Sequence, residues 1–95
     1  MSRRTGSHEV VLVVGNYFAQ PLLLIVEPWA NELEIAPGQK VRVIFTAPTI
    51  QPPEVDAGEI EGRNYIMVWG WGKSTFAIYD EDGTICLDHC DIPSP

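Results

Sequence analysis

No window of this 95-residue chain holds apolar side chains at the i, i+3, i+4, i+7 spacing of a helix for as long as about ten residues. The eight prolines run from Pro21 to Pro95, and each removes a backbone donor and blocks a helix interior. What remains are short runs rich in Val, Ile, Thr and aromatic residues, cut by clusters of Gly, Pro, Asn and Asp. That pattern predicts strands and turns. The candidate strands are Glu9–Gly15, Leu22–Glu27, Glu32–Ala36, Lys40–Thr46, Asn64–Gly70, Thr75–Asp80 and Thr84–Leu87. Val10–Val14 and Leu22–Val26 are apolar at every position, as expected of central strands covered on both faces. Lys40–Phe45 alternates, with Val41, Val43 and Phe45 on one face, and Glu32–Ile35 alternates likewise.

Two turns test the register. At Pro37-Gly38 a two-residue hairpin would set Ile35 opposite Lys40 and Leu33 opposite Arg42, mixing core with solvent, because opposed residues share a face. A three-residue loop sets Ile35 opposite Val41 and Leu33 opposite Val43, which is consistent; a corner where the chain changes sheets is the rival reading. At Glu81-Asp82-Gly83 a type I turn with a bulge would place Gly83 at the left-handed position, Tyr79 opposite Ile85 and Ile78 opposite Cys86. Turn signals recurring every 8–12 residues predict an all-β, antiparallel β-sandwich of about seven strands, Ig-like in its Greek-key order. A small open barrel is the alternative. The expected organisation is a single domain over residues 1–95, with 1–8 as an N-terminal tail.

Charge narrows the partners. With 13 acidic and 6 basic residues the net charge is −7, which argues against nucleic acid or an anionic membrane, since both attract clustered Lys and Arg. Ser2-Arg3-Arg4 opens like a twin-arginine signal, but the apolar run that follows, Val10–Val14, is shorter than the ~7–15 residues a signal needs. No run approaches the ~20 residues of a membrane span, and a cytoplasmic location is the default expectation. The connection Ala47–Arg63 carries Glu54, Asp56, Glu59 and Glu61 and reads either as a solvated loop or as the place where a basic partner or a cation would be met; Val55 and Ile60 suit a short edge strand within it. Asp80-Glu81-Asp82-Gly83 fails as a calcium loop, because an EF-hand needs its Gly at the sixth position.

Cys86-Leu87-Asp88-His89-Cys90 carries the residue types that bind copper and zinc. The chain holds two Cys and two His, fewer than two ligand pairs once His8 is set aside at the other end. Three readings stand: a buried structural thiol at Cys86, a Cys86–Cys90 disulfide, or a metal site of Cys86, His89 and Cys90 taking copper or zinc. The segment Leu33-Glu34-Ile35-Ala36-Pro37-Gly38-Gln39-Lys40-Val41-Arg42-Val43 resembles the strand–Pro-Gly–strand unit of cupredoxin-like sandwiches, and Cys86-x-x-His89 is similar to the blue-copper ligand loop. The resemblance covers residues 9–92 as architecture and implies a cupredoxin-like fold. The family's copper site also uses a mid-chain histidine and commonly a methionine after C-x2-H. Residues 37–88 contain no histidine and Cys90–Pro95 no methionine, so the implied site is incomplete. Val26-Glu27-Pro28-Trp29-Ala30 with its following Pro-Gly turn also resembles small bacterial proteins of no assigned activity.

Tyr65, Met67, Trp69 and Trp71 share one face of a strand. The expectation is that Met67 and Trp69 belong to the core, that Trp71 shows at the loop, and that Trp29 caps one end of the sandwich. Gly70 and Gly72 mark a bulge or a close backbone approach. No G-x-S-x-G, H-E-x-x-H or P-loop occurs, and no catalytic residue is assigned. The leading functional expectation is a non-catalytic protein-interaction module, monomeric or homodimeric. It would use Glu54, Asp56, Glu59, Glu61 and Trp71 toward a protein partner, with no cofactor. The alternatives are a degenerate cupredoxin-type metal or redox protein and a carbohydrate-binding module using Trp71 and Trp29.

Overall fold

The structure is a computed structural model and describes residues 8–71 and 73–89, for residues 86–89 the backbone alone. It is a sandwich of two four-stranded sheets. The strands are β1 (His8–Gly15), β2 (Leu22–Glu27), β3 (Asn31–Ile35), β4 (Lys40–Ala47), β5 (Glu54–Ile60), β6 (Arg63–Trp69), β7 (Thr75–Asp80) and β8 (Ile85–His89). One sheet has the order β1-β4-β7-β8 and the other β3-β2-β6-β5. The chain crosses between the sheets after β1, β3, β4 and β6, so each crossing buries one strand face against the other layer.

The seven expected strands are present, and the eighth, β5, lies inside the stretch read as the long connection. The antiparallel expectation holds throughout the first sheet. It fails in the second, where β2 and β6 run parallel, from Leu22 opposite Asn64 to Glu27 opposite Trp69. A parallel pair needs a crossover connection, and here β3, β4 and β5 supply it.

The Pro37-Gly38-Gln39 segment is a corner. β3 pairs with β2 and β4 pairs with β1 and β7, so Ile35 and Val41 share a core without sharing a ladder. At the β7–β8 turn Tyr79 opposes Ile85 as expected, but the register then shifts and Ile78 opposes Leu87. Cys86 is therefore the extra residue of a bulge and not the partner of Ile78. Val10–Val14 is not central either: β1 is an edge strand with Val11 and Val13 exposed on its outer side.

The core is built from the inward halves of β2, β4, β6 and β7: Leu24, Val26, Val41, Val43, Phe45, Val68, Phe76 and Ile78. Trp29 closes one end. It is 6% exposed, lies 4.6 Å from Phe76 and stacks 6.3 Å from Phe45 between ring centroids. At the other end Asn16, fully buried, donates from Nδ2 to the carbonyls of Gln20 and Ile35 and accepts at Oδ1 from the Phe18 amide.

Candidate functional site: the outer face of the mixed sheet

Strand alternation sorts the β3-β2-β6-β5 sheet into two faces. Leu22, Leu24 and Val26 point into the core, so Leu23, Ile25 and Glu27 point out. The register carries this parity across the sheet, because directly opposed residues share a face. Glu34, Leu23, Tyr65 and Gly58 form one outward row. Glu32, Ile25, Met67 and Asp56 form the next, and Glu27, Trp69 and Glu54 the third.

The outer face therefore has a consistent pattern. Its two central strands carry a strip of Leu23, Ile25, Tyr65, Met67 and Trp69. Its two edge strands carry carboxylates, Glu32 and Glu34 on β3 and Glu54 and Asp56 on β5. The strip side chains are half-buried by one another, and Trp69 at its end is 41% exposed. Tyr65 lies over Gly58, where an added Cβ would come within 2.9 Å of its hydroxyl; the glycine lets the ring lie flat toward the edge. Leu23, Ile25, Tyr65 and Ile60 with Arg63 and Glu61 bound a shallow depression of about 240 Å³. Arg63 is tied to Glu34 at 2.8 Å.

The acidic stretch is a hairpin, and the hairpin divides its carboxylates. Glu54 and Asp56 stand on the outer face, and Glu59, opposite Asn64, stands on the core-side face. Glu61 sits in the two-residue turn with Gly62, both at positive φ (51° and 80°), as a type I′ turn requires. Val55 and Ile60 were the signal for β5 in the sequence; Glu-Gly is a weaker turn marker than Asn-Gly, so the hairpin was only half legible.

The aromatic expectation is corrected. Trp71 leaves the strand face: its ring packs 5.5 Å from Phe45 and its Nε1 donates to the Thr49 carbonyl. Ser74 Oγ locks the same segment, accepting from the Trp71 amide and donating to the Trp71 carbonyl. Trp69, expected in the core, is the exposed ring. Trp29 is buried and offers no face for a sugar to stack on. Tyr65 was placed on this face with Met67 and Trp69 by strand alternation, but Leu23 and Ile25, which complete the strip, were not singled out from the sequence, because a fully apolar run like Leu22–Val26 does not say which half faces outward.

For the metal reading, β8 carries Cys86 at the bulge and His89 opposite Phe76 along the backbone, while Cys90 lies outside the described residues. Among the described residues no group of three or more His, Cys, Asp and Glu is placed to hold a metal ion. No described helix is long and apolar enough to cross a membrane. No protein-family model, curated protein or solved structure matches the chain at a significant level, so the functional reading stands on this geometry.

Proposed function

We propose that the protein is a non-catalytic interaction module that binds a basic, amphipathic segment of a partner protein on the outer face of the mixed sheet. The observation that carries the reading is the apolar strip Leu23-Ile25-Tyr65-Met67-Trp69 flanked on both sides by carboxylates. Three strand spacings separate β3 from β5, about 14 Å, which accommodates a helix of about 10–12 Å diameter between the two acidic rows. Such a helix would lay an apolar ridge on the strip and reach the carboxylates with Lys or Arg from its flanks. The strip supplies burial, and the rims supply orientation and attraction over distance. The net charge of −7 favours the same partners.

A capped amphipathic helix of Leu and Lys serves as the probe, followed by fluorescence of Trp69 in a Trp71→Phe variant, which removes the half-buried indole nearest to it in the chain. Binding is expected to weaken about tenfold or more when Glu32 and Glu34, or Glu54 and Asp56, become Lys. Met67→Asp is the decisive variant. It makes the face more acidic, so attraction of charge alone would strengthen binding. Loss of binding in a folded Met67→Asp protein supports a docked ridge; unchanged or tighter binding removes the proposal.

A further inference from the structure

β5 is uncovered on its inner side. Val55 opposes the fully buried Val68 and Ala57 opposes the half-buried Ile66, so both face the core side of the sheet. Yet Val55 is 52% exposed and Ala57 is exposed. The second sheet thus extends beyond the first by about one strand, and the first sheet ends at β1 above that ledge. The opening is a cleft of about 630 Å³ lined by Val13, Val14, Leu22, Ala57, Glu59 and Ile66. The exposed rings of Tyr17 and Phe18 stand at its mouth.

The edge of β1 above the cleft lacks the usual protection. Exposed edges are commonly blunted by charge or proline. β3 has Glu32 and Glu34, β5 has Glu54, Asp56 and Glu59, and β8 includes Asp88. β1 carries Glu9 at its start, but its remaining stretch Val10–Gly15, the part beside the cleft, has no charged residue and no proline. The Asn16 amide donates to Gln39 O and the Asn16 carbonyl accepts from the Gly38 amide, so position 16 is turned toward the β4 side. Alternation then turns Val14, Leu12 and Val10 toward β4 and leaves the amides and carbonyls of Glu9, Val11, Val13 and Gly15 directed at the open side.

We infer that this edge takes up an extended strand from another protein, paired antiparallel to β1 and seated over the bare face of β5. The strand's inward side chains are apolar, matching Val55, Ala57 and Val14. A Lys or Arg near its N-terminal end meets Glu59, the carboxylate lining the cleft beside Gly15. A second copy is the wrong shape for this place. Two-fold pairing of β1 with its mate would drive each protruding β5 beneath the other copy's β1, where β6 and β5 already floor the cleft. This site is separate from the outer face of the mixed sheet and stands or falls without it.

The test uses the full chain and a capped peptide of about nine residues, Val alternating with Thr, with one Lys near its N-terminus. Amide hydrogen exchange reports the mode. Without peptide, Val11 and Val13 are expected to exchange rapidly and Leu12 slowly; with peptide, Val11 and Val13 become protected. Glu59→Lys is expected to weaken the Lys peptide about three- to tenfold and to favour the same peptide carrying Glu in place of Lys. Val11→Pro removes an open-side donor without touching the β4 ladder and is expected to abolish binding; should it not fold, the Glu59→Lys charge swap still decides. Binding that leaves Val11 and Val13 unprotected overturns the inference. So does affinity indifferent to the charge swap, or sedimentation showing that the protein alone dimerises through these same amides.

Discussion

Trp29 lies against the backbone of Gly70 so closely that a Cβ at position 70 would come within 2.7 Å of the indole. The ring has no retreat, because Phe45 and Phe76 hold its other side. The Gly70 amide donates to the Glu27 carbonyl at 2.7 Å, which ties the end of β6 to the turn that carries Trp29. One residue without a side chain thus lets the β2–β3 turn close the end of the sandwich.

Gly70→Ala should therefore act as an overpacking mutation and cost about 1–3 kcal/mol in urea denaturation. Gly58→Ala makes a comparably short contact, with the far end of Tyr65. That ring is half-exposed on the outer face and can swing aside, so the substitution should change stability by less than about 1 kcal/mol. Equal losses at the two positions would contradict the packing described for Trp29.

Asn16→Ala is expected to cost more than about 2 kcal/mol, because it strips partners from the buried carbonyl of Ile35 and from the amide of Phe18 together. Asn16→Asp should not rescue it: a carboxylate accepts from Phe18 but cannot donate to Ile35 or Gln20. Denaturation midpoints of the two variants check this directly.

Asp80 organises the β7–β8 turn by accepting at one carboxylate oxygen from the amides of Asp82 and Thr84, each at 2.9 Å. Asp80→Ala should cost about 1 kcal/mol, moderated by water at an exposed turn. Gly83 has φ 82°, so Gly83→Ala should cost about 1–2 kcal/mol. Both are read from thermal midpoints, and calcium should leave the wild-type midpoint where it is, since the acidic residues serve the turn.

The Arg63–Glu34 pair is exposed at both partners, with side chains 54% and 62% accessible. A double-mutant cycle with Arg63→Ala and Glu34→Ala should give a coupling below about 1 kcal/mol that fades further as salt is added. A coupling several times larger would show that Arg63 is held more rigidly over the Leu23 side chain than its exposure implies.

Much of the fold was legible in the chain. Alternation in Lys40–Phe45 placed Val41, Val43 and Phe45 in the core, and all three are buried. Gly83 and the Tyr79–Ile85 pairing followed from turn chemistry. The candidate site was less legible. Glu54 and Asp56 were found by composition and Tyr65 by alternation with Met67 and Trp69, but Leu23 and Ile25 were not, since an apolar strand core looks the same whichever face is covered. Trp69 and Trp71 exchanged roles for a local reason: the chain leaves β6 at Gly70, and strand parity no longer applies to residue 71.

The linear chain determined the elements, because proline, glycine and β-branched residues act within a few positions of themselves. It also determined that the protein is acidic, with four carboxylates between Glu54 and Glu61 and three more in Asp80–Asp82. Only the tertiary structure decided which strands became neighbours. Pairing β2 parallel to β6 brought Leu23 and Ile25 beside Tyr65, Met67 and Trp69, and folding β5 as a hairpin sent Glu54 and Asp56 to one face and Glu59 to the other. Strand order is a contest among long-range burials that no local pattern records. The same contest left β1 at an edge over an uncovered β5, although its five apolar residues read as a strand made for the middle of a sheet.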